Sequence, residues 1–356
     1  MTSNNKITKT ALITQFLFFG LVSSGQNTTV EPSTHLKVQE RTDKIFDSFV
    51  KIRRDFHTNP EVSGQEKRTS KKIAEYLLSL GLEVKTGIGG HGVLGILKTG
   101  KKGKHIAWRA DIDALASDHP DVVDFSSKIK GVRHICGHDV HTTIALGIAN
   151  VLTSLKESLT GTIYFIFQPS EENLAGAKAM LDHGLLNSID PEEIYALHIA
   201  PMSEGIVTTK ARNPYADYKG IQITLKNTKE KTALIQFTKE LFLHLQNVSP
   251  ESEFWDNKNL LDPNIGLGNP NTIFKDYITV DSNIAVKESD KKITIRAYLS
   301  AEKETQLDSL LSQIKKKFKE SDYSDQFLNS SFYYETALVL NDERLTSLTI
   351  PTISKI

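Results

Sequence analysis

The chain has 356 residues, 39% of them hydrophobic, and its 43 basic residues balance 43 acidic ones for a formal net charge of zero. A balanced charge lacks the localised positive excess that nucleic acid or an anionic membrane surface requires, so neither is expected as a partner. The length suits one large globular domain or two of ordinary size.

Residues 1–25 read as a secretory leader. Lys6 and Lys9 precede an apolar-rich run over 11–22, and Ser23, Ser24 and Gly25 supply small residues for cleavage before Gln26. That run is well short of the ~20 residues a bilayer-spanning helix needs, so an exported protein without a stable membrane span is expected. Export sharpens the meaning of Cys136, the single cysteine of the chain. It has no partner for an internal disulfide, and metal ligation explains a thiol in an oxidising compartment.

Apolar residues recur at helical spacing over 35–57 and again over 66–80, where Gly81 stops the second helix. Short β runs are expected over 82–85, 93–97 and 105–109, a helix over 140–155, a strand over 162–167, a helix over 175–183 and a strand over 194–198. Strands alternating with helices predict an α/β catalytic domain over 35–216 with helices on both faces of its sheet. Beyond Tyr218 the order becomes strand 220–225, helix 230–245, strands 277–286 and 292–299, helix 302–319 and strand 331–338. This β-α-β-β-α-β order predicts a ferredoxin-like domain, inserted over 217–339. Residues 340–356 begin a further helix, with Asn341 as a candidate cap.

Four segments fall where an open α/β sheet gathers its active site, at the carboxyl ends of strands. His134-Ile135-Cys136-Gly137-His138-Asp139-Val140-His141 crowds a thiol and imidazoles as a zinc-class cation demands. Arg109-Ala110-Asp111-Ile112-Asp113 runs a strand into two carboxylates, Gln168-Pro169-Ser170-Glu171-Glu172 ends a strand ahead of a glutamate pair, and Leu197-His198 closes another. Two apart in extended chain, Cys136 and His138 would point to one side and share a metal. Adjacent glutamates can face differently, one ligating the metal and the other reaching water activated by it.

These motifs resemble the metal-dependent amidohydrolase branch of the aminoacylase and carboxypeptidase metallopeptidase family, which includes hippurate hydrolases, N-acyl-amino-acid amidohydrolases and auxin-conjugate hydrolases. The resemblance is close over 40–215 and looser beyond. It implies a catalytic domain with a central mixed sheet flanked by helices, and a ferredoxin-like lid through which two copies dimerise. By matching position it implies Cys136, His138, Glu172 and His198 as ligands of two divalent ions, zinc or manganese. Glu171 resembles the general base and Asp113 the carboxylate that orients a ligand, with Asp111, His134, Asp139 and His141 in support. The implied reaction is hydrolysis of the amide bond of an N-acyl amino acid or small peptide.

Two departures qualify that reading. The family lid carries a Gly-Gly-His-x-x-x-Pro-His segment where residues 225–231 stand here, and losing such an oxyanion donor costs ~10²–10³ in rate. The family also continues past the lid to a last metal-binding His, whereas no His follows His244. The resemblance therefore leads to the expectation of a C-terminally truncated member. A degenerate, non-catalytic binding or dimerisation protein is the alternative, and a thiol hydrolase using Cys136 as nucleophile is a third.

Overall fold

The computed structural model describes residues 32–200, 204–212, 214–256, 258–259, 262, 264–266, 272–335 and 339–353, and the predicted leader over 1–25 lies outside them. Two compact units divide the described residues at Val207/Thr208 and Leu348/Thr349.

The first unit begins with helices α1 (Pro32–Thr58) and α2 (Lys67–Ser79). Strands β1 (Glu83–Ile88), β2 (Gly92–Lys98) and β3 (His105–Asp111) follow, then a two-residue hairpin of β4 (Leu115–Ala116) and β5 (Val132–Arg133). Next come α3 (His138–Ser154), β6 (Thr162–Gln168), α4 (Gly176–Asp182), α5 (Leu185–Ser188) and β7 (Glu193–Ala196).

The sheet order is β1-β2-β6-β3-β7. β1/β2 and β2/β6 are antiparallel, while β3 runs parallel to both β6 and β7, so the sheet is mixed as the resemblance implied. Both faces are covered. Trp108, Phe165 and Phe167 pack on one side with Phe49, Ile73, Leu77 and Ile148 of the long helices, and Ala107, Tyr164 and Ile166 pack on the other with Met180 and Leu185. Strands buried on both faces read as continuous apolar runs, which is why β6 was legible without alternation.

The parallel register sets the ends of these strands level. Asp111 of β3 pairs with Gln168 of β6, and Arg109 pairs with Ala196 of β7. Since β3 lies between β6 and β7, the chain leaving it is flanked by the chain leaving each neighbour. The strand predicted to reach His198 ends two residues earlier, so His198 stands in the following loop.

The second unit contains β8 (Asp217–Lys226), α6 (Lys231–Leu243), β9 (Ile278–Val280), β10 (Ala285–Glu288) and β11 (Lys292–Ala301). It continues through α7 (Glu304–Asp308), α8 (Leu310–Lys319) and β12 (Phe327–Glu335), and α9 (Glu343–Ile353) comes last in the chain. Its antiparallel sheet has the order β10-β11-β8-β12, with β9 also on β11. Alternate residues Ile221, Ile223 and Leu225 of β8 and Ile293, Ile295 and Leu299 of β11 bury against Leu234 and Phe242 of α6 and Ile314 and Phe318 of α8.

Three local expectations change here. The strand over 277–286 is broken into β9 and β10 where the Asn283 N–H turns back to Asp281 Oδ1 at 2.8 Å. The helix over 302–319 divides at Ser309 into α7 and α8. The last helix is capped by Asp342, whose carboxylate accepts from the Leu345 N–H at 2.8 Å, and not by Asn341, whose backbone instead bonds Arg212.

Candidate metal centre

His138 is the first residue of α3 and is fully buried. Its Nδ1–H donates to the Asp113 carbonyl at 2.9 Å, with an Asp113 carboxylate oxygen at 3.3 Å, so Nε2 carries the free lone pair. That Nε2 finds no hydrogen-bond partner among the described residues, and neither does Glu172 Oε1, 3.6 Å away. Glu171 Oε2 lies 3.6 Å from the same nitrogen and Asp111 Oδ2 lies 3.8 Å from it.

A separation of 3.6 Å is too long for a hydrogen bond. Two ligands bonded at about 2.0–2.1 Å to one tetrahedral ion would stand roughly 3.3 Å apart, so the orphaned pair fits a shared divalent cation. Buried polar atoms without partners are otherwise costly.

On the other side, Cys136 Sγ is 3.4 Å from His198 Nε2, while His198 Nδ1–H donates to the Ile199 carbonyl at 2.6 Å. Among the described residues three donor sets could each hold an ion: Cys136/His138/His198, His138/Glu171/Glu172 and Asp111/His138/His141. The four predicted ligands thus fall into the first two sets, joined at His138.

Cys136 and His138 converge by a different route from the one expected. Gly137 between them has a φ of +89° and caps α3, so the chain turns there and is not extended. That left-handed φ favours glycine, and a Cβ there would also lie 2.2 Å from Ile199 Cδ1.

His141 is already committed. Its Nδ1–H donates to Asp111 Oδ1 at 2.7 Å, and its Nε2 accepts from the Ile199 N–H at 2.9 Å, tying the His198 loop to α3. Asp111 also takes the Arg109 guanidinium at 2.6 Å. Asp139 faces away from the centre. It pairs with His57 Nδ1 and Arg53 Nε, both at 2.8 Å, while His57 Nε2 reaches Asp121 at 3.2 Å. His134 is buried beside His57, and both its ring nitrogens lack partners among the described residues.

Proton affinities follow this arrangement. Burial alone would lower the His138 pKa, but the bond to Asp113, the neighbouring Cys136 thiol and the Asp111 charge raise it to about 11. The neighbouring His138 imidazole and the bond to His198 lower the Cys136 thiol. Burial, and then the Glu171 charge, raise Glu172 against the pull of His138. Burial also works against Asp111, yet its His141 and Arg109 bonds hold it well below the usual carboxylate range. A pocket that binds a proton this strongly at His138 is an electronegative pocket, and a divalent cation is the competitor for that proton.

Residues 107–340 match the sequence model of peptidase family M20/M25/M40. The chain belongs to this family. Over 167 residues it is 43% identical to thermostable carboxypeptidase 2 of Saccharolobus solfataricus, a match covering 46% of this chain and 42% of that protein. Over 288 residues it is 32% identical to IAA-amino acid hydrolase ILR1-like 2 of Arabidopsis thaliana, covering 77% of this chain and 65% of the relative. The matched segments thus span less than two thirds of either M20/M25/M40 relative. The fold is similar to that of the Bacillus subtilis YXEP protein, a dinuclear metal-binding peptidase from the M20 family, with a TM-score of 0.66 and 25% identity over 88% of this chain and 80% of that one.

Two residues that bond to the segments carrying the centre escaped sequence reasoning. His57 was read only as part of a helix, and Glu66 only as the start of one. Each acts on a partner far away in sequence, Asp139 and Ser170 respectively, and no local pattern announces such a contact.

Proposed function

We propose that this M20/M25/M40 family member is a metal-dependent hydrolase of amide bonds in N-acyl amino acids or small peptides. The observation that carries the reading is the buried His138 Nε2, without a partner among the described residues, facing Glu171 and Glu172 on one side and the Cys136/His198 pair on the other. The names of its relatives, an IAA-amino acid hydrolase and a carboxypeptidase, support the same reading.

Cys136, His138, Glu172 and His198 would hold the metal, zinc or manganese, in a site for two ions. When bound, such an ion supplies a Lewis acid that polarises a carbonyl and lowers the pKa of water. Asp113 keeps His138 in the tautomer that presents Nε2. Glu171, about one-third exposed and facing the same nitrogen, takes the proton from the attacking water and returns it to the leaving amine. Asp111 and His141 hold the His198 loop in place. The strand order β10-β11-β8-β12 supports reading the second unit as the ferredoxin-like domain, with lid and dimer contact as its proposed roles. The proposed site of action is outside the cytoplasm, reached through the leader.

The test is hydrolysis of a panel of N-acyl amino acids and dipeptides by wild type, Glu171→Gln and chelated protein. Activity lost on Glu171→Gln and on chelation, and regained with Zn²⁺ or Mn²⁺, supports the proposal. Activity that survives complete metal removal would point to Cys136 as a nucleophile instead.

A further inference from the structure

The loop after β6 is bent against its own sterics. Ser170 and Leu174 have φ values of +52° and +60°, in the left-handed region that disfavours side chains. Gly176 closes the loop where a Cβ would lie 1.6 Å from the Pro169 carbonyl oxygen. Within the loop the Leu174 N–H donates to the Glu171 carbonyl at 2.8 Å, and the Gly176 N–H to the Ser170 carbonyl at 3.0 Å. These bonds fold the loop onto itself but do not aim it.

Two distant side chains do. Asp113 accepts from the Glu172 N–H at 3.0 Å. Glu66 accepts with a single oxygen, Oε1, from the Ser170 N–H at 2.7 Å and the Ser170 hydroxyl at 3.3 Å, across 104 residues of sequence. Glu66 stands at the N-cap of α2 yet makes no capping bond there. The helix start is served by Glu61, which accepts from the Arg68 and Thr69 N–H groups. Glu66 is fully buried, and its Oε2 has no partner among the described residues. A buried carboxylate with half its accepting capacity unused is costly, and among the described residues its bonds go only to the residue just before Glu171.

We infer that Glu66 is a positioning residue: it clamps the left-handed turn at Ser170 and so aims Glu171 and Glu172 at His138 Nε2. Strained backbone persists only where its surroundings over-determine it, and Glu66 anchors Ser170 as Asp113 anchors Glu172. The consequence for hydrolysis rests on the function proposed above, but the clamping does not.

Hydrogen exchange of the full, metal-free chain, read by mass spectrometry, separates the two. Glu66→Ala is expected to speed exchange over 169–176 by about tenfold to a hundredfold, the factor for one hydrogen bond to a charged acceptor, while peptides within β6 stay protected. Glu66→Gln keeps an oxygen for the Ser170 N–H and should exchange close to wild type. Glu66→Met fills the volume without an acceptor and replaces Glu66→Ala if the smaller side chain unfolds the protein. Unchanged protection over 169–176 in the acceptor-less variants overturns the inference, as does equal loss in Glu66→Gln.

A Co²⁺ titration then reads the consequence. The acceptor-less variants should keep the thiolate charge-transfer band of Cys136 and lose roughly 10–100-fold in affinity at the glutamate side. Wild-type protein that binds no Co²⁺ would sink the hydrolase reading and leave the exchange result to decide the role of Glu66.

Discussion

Asp113 accepts from His138 Nδ1 more closely through its main-chain carbonyl, at 2.9 Å, than through its carboxylate, at 3.3 Å. The carbonyl therefore sets the tautomer whatever the side chain does. The carboxylate is left to join three elements: His138, the Ser63 hydroxyl at 2.6 Å and the Glu172 N–H at 3.0 Å. Asp113→Ala should keep His138 oriented by the carbonyl but release the Glu172 loop. Metal affinity, measured calorimetrically on chelator-treated protein, should fall by roughly 10–100-fold, the usual effect of losing a group that holds a ligand. Asp113→Asn keeps one accepting oxygen and should fall less. Equal affinity in wild type and Asp113→Ala would remove the carboxylate from any role in the centre.

How far the sequence led is clearest from the same residues. Cys136, His138 and the glutamate pair were visible because their chemistry is rare in a loop and because strand ends in an α/β sheet converge. The register Asp111–Gln168 then brings them together. The strength of each contact was not visible. A motif carries no information on whether His141 has a free nitrogen, and here both are used. Nor does spacing alone tell an extended Cys-Gly-His from one turned by a left-handed glycine. Contacts such as Glu66 with Ser170 and His57 with Asp139 depend on how helices pack on the sheet, which local periodicity does not encode.

His134 should make the metal-free protein acid-sensitive. Burial pushes its pKa down from 6.5 to about 4. Between those values the unfolded chain binds a proton that the folded chain does not, so stability falls as pH falls through that window and levels off below it. The full effect is on the order of 3 kcal/mol for one group of this kind. His134→Phe removes the titration and keeps an aromatic ring in the buried space. Thermal melts in chelator from pH 7 to 4 should show a shallower loss of Tm for the variant. Parallel wild-type and variant curves would assign the acid sensitivity to other groups.

Cys136 should report metal occupancy directly. Its thiol pKa is lowered by His138 and His198, so the metal-free protein should hold more thiolate than an ordinary cysteine does at the same pH. Iodoacetamide should modify the metal-free chain, with a midpoint below the ~8.5 of a free cysteine, and Zn²⁺ should block the reaction. A single cysteine makes the result a single mass shift. Alkylation at the same rate with and without Zn²⁺ would exclude Cys136 as a ligand.

Gly137→Ala tests whether the turn between Cys136 and His138 is built for the centre. The new Cβ would meet Ile199 Cδ1 at 2.2 Å, in a backbone with φ of +89°. The left-handed strain alone costs about 1–3 kcal/mol. The exposed Ile199 side chain can rotate away from the new Cβ, so the strain to be relieved is that of the left-handed backbone, by loss of the first turn of α3. That route separates Cys136 Sγ from His198 Nε2, now 3.4 Å apart. The variant should melt at lower temperature and, while still folded, should lose the thiolate charge-transfer band on Co²⁺ addition. A variant that is destabilised yet keeps that band would show that the turn serves folding alone.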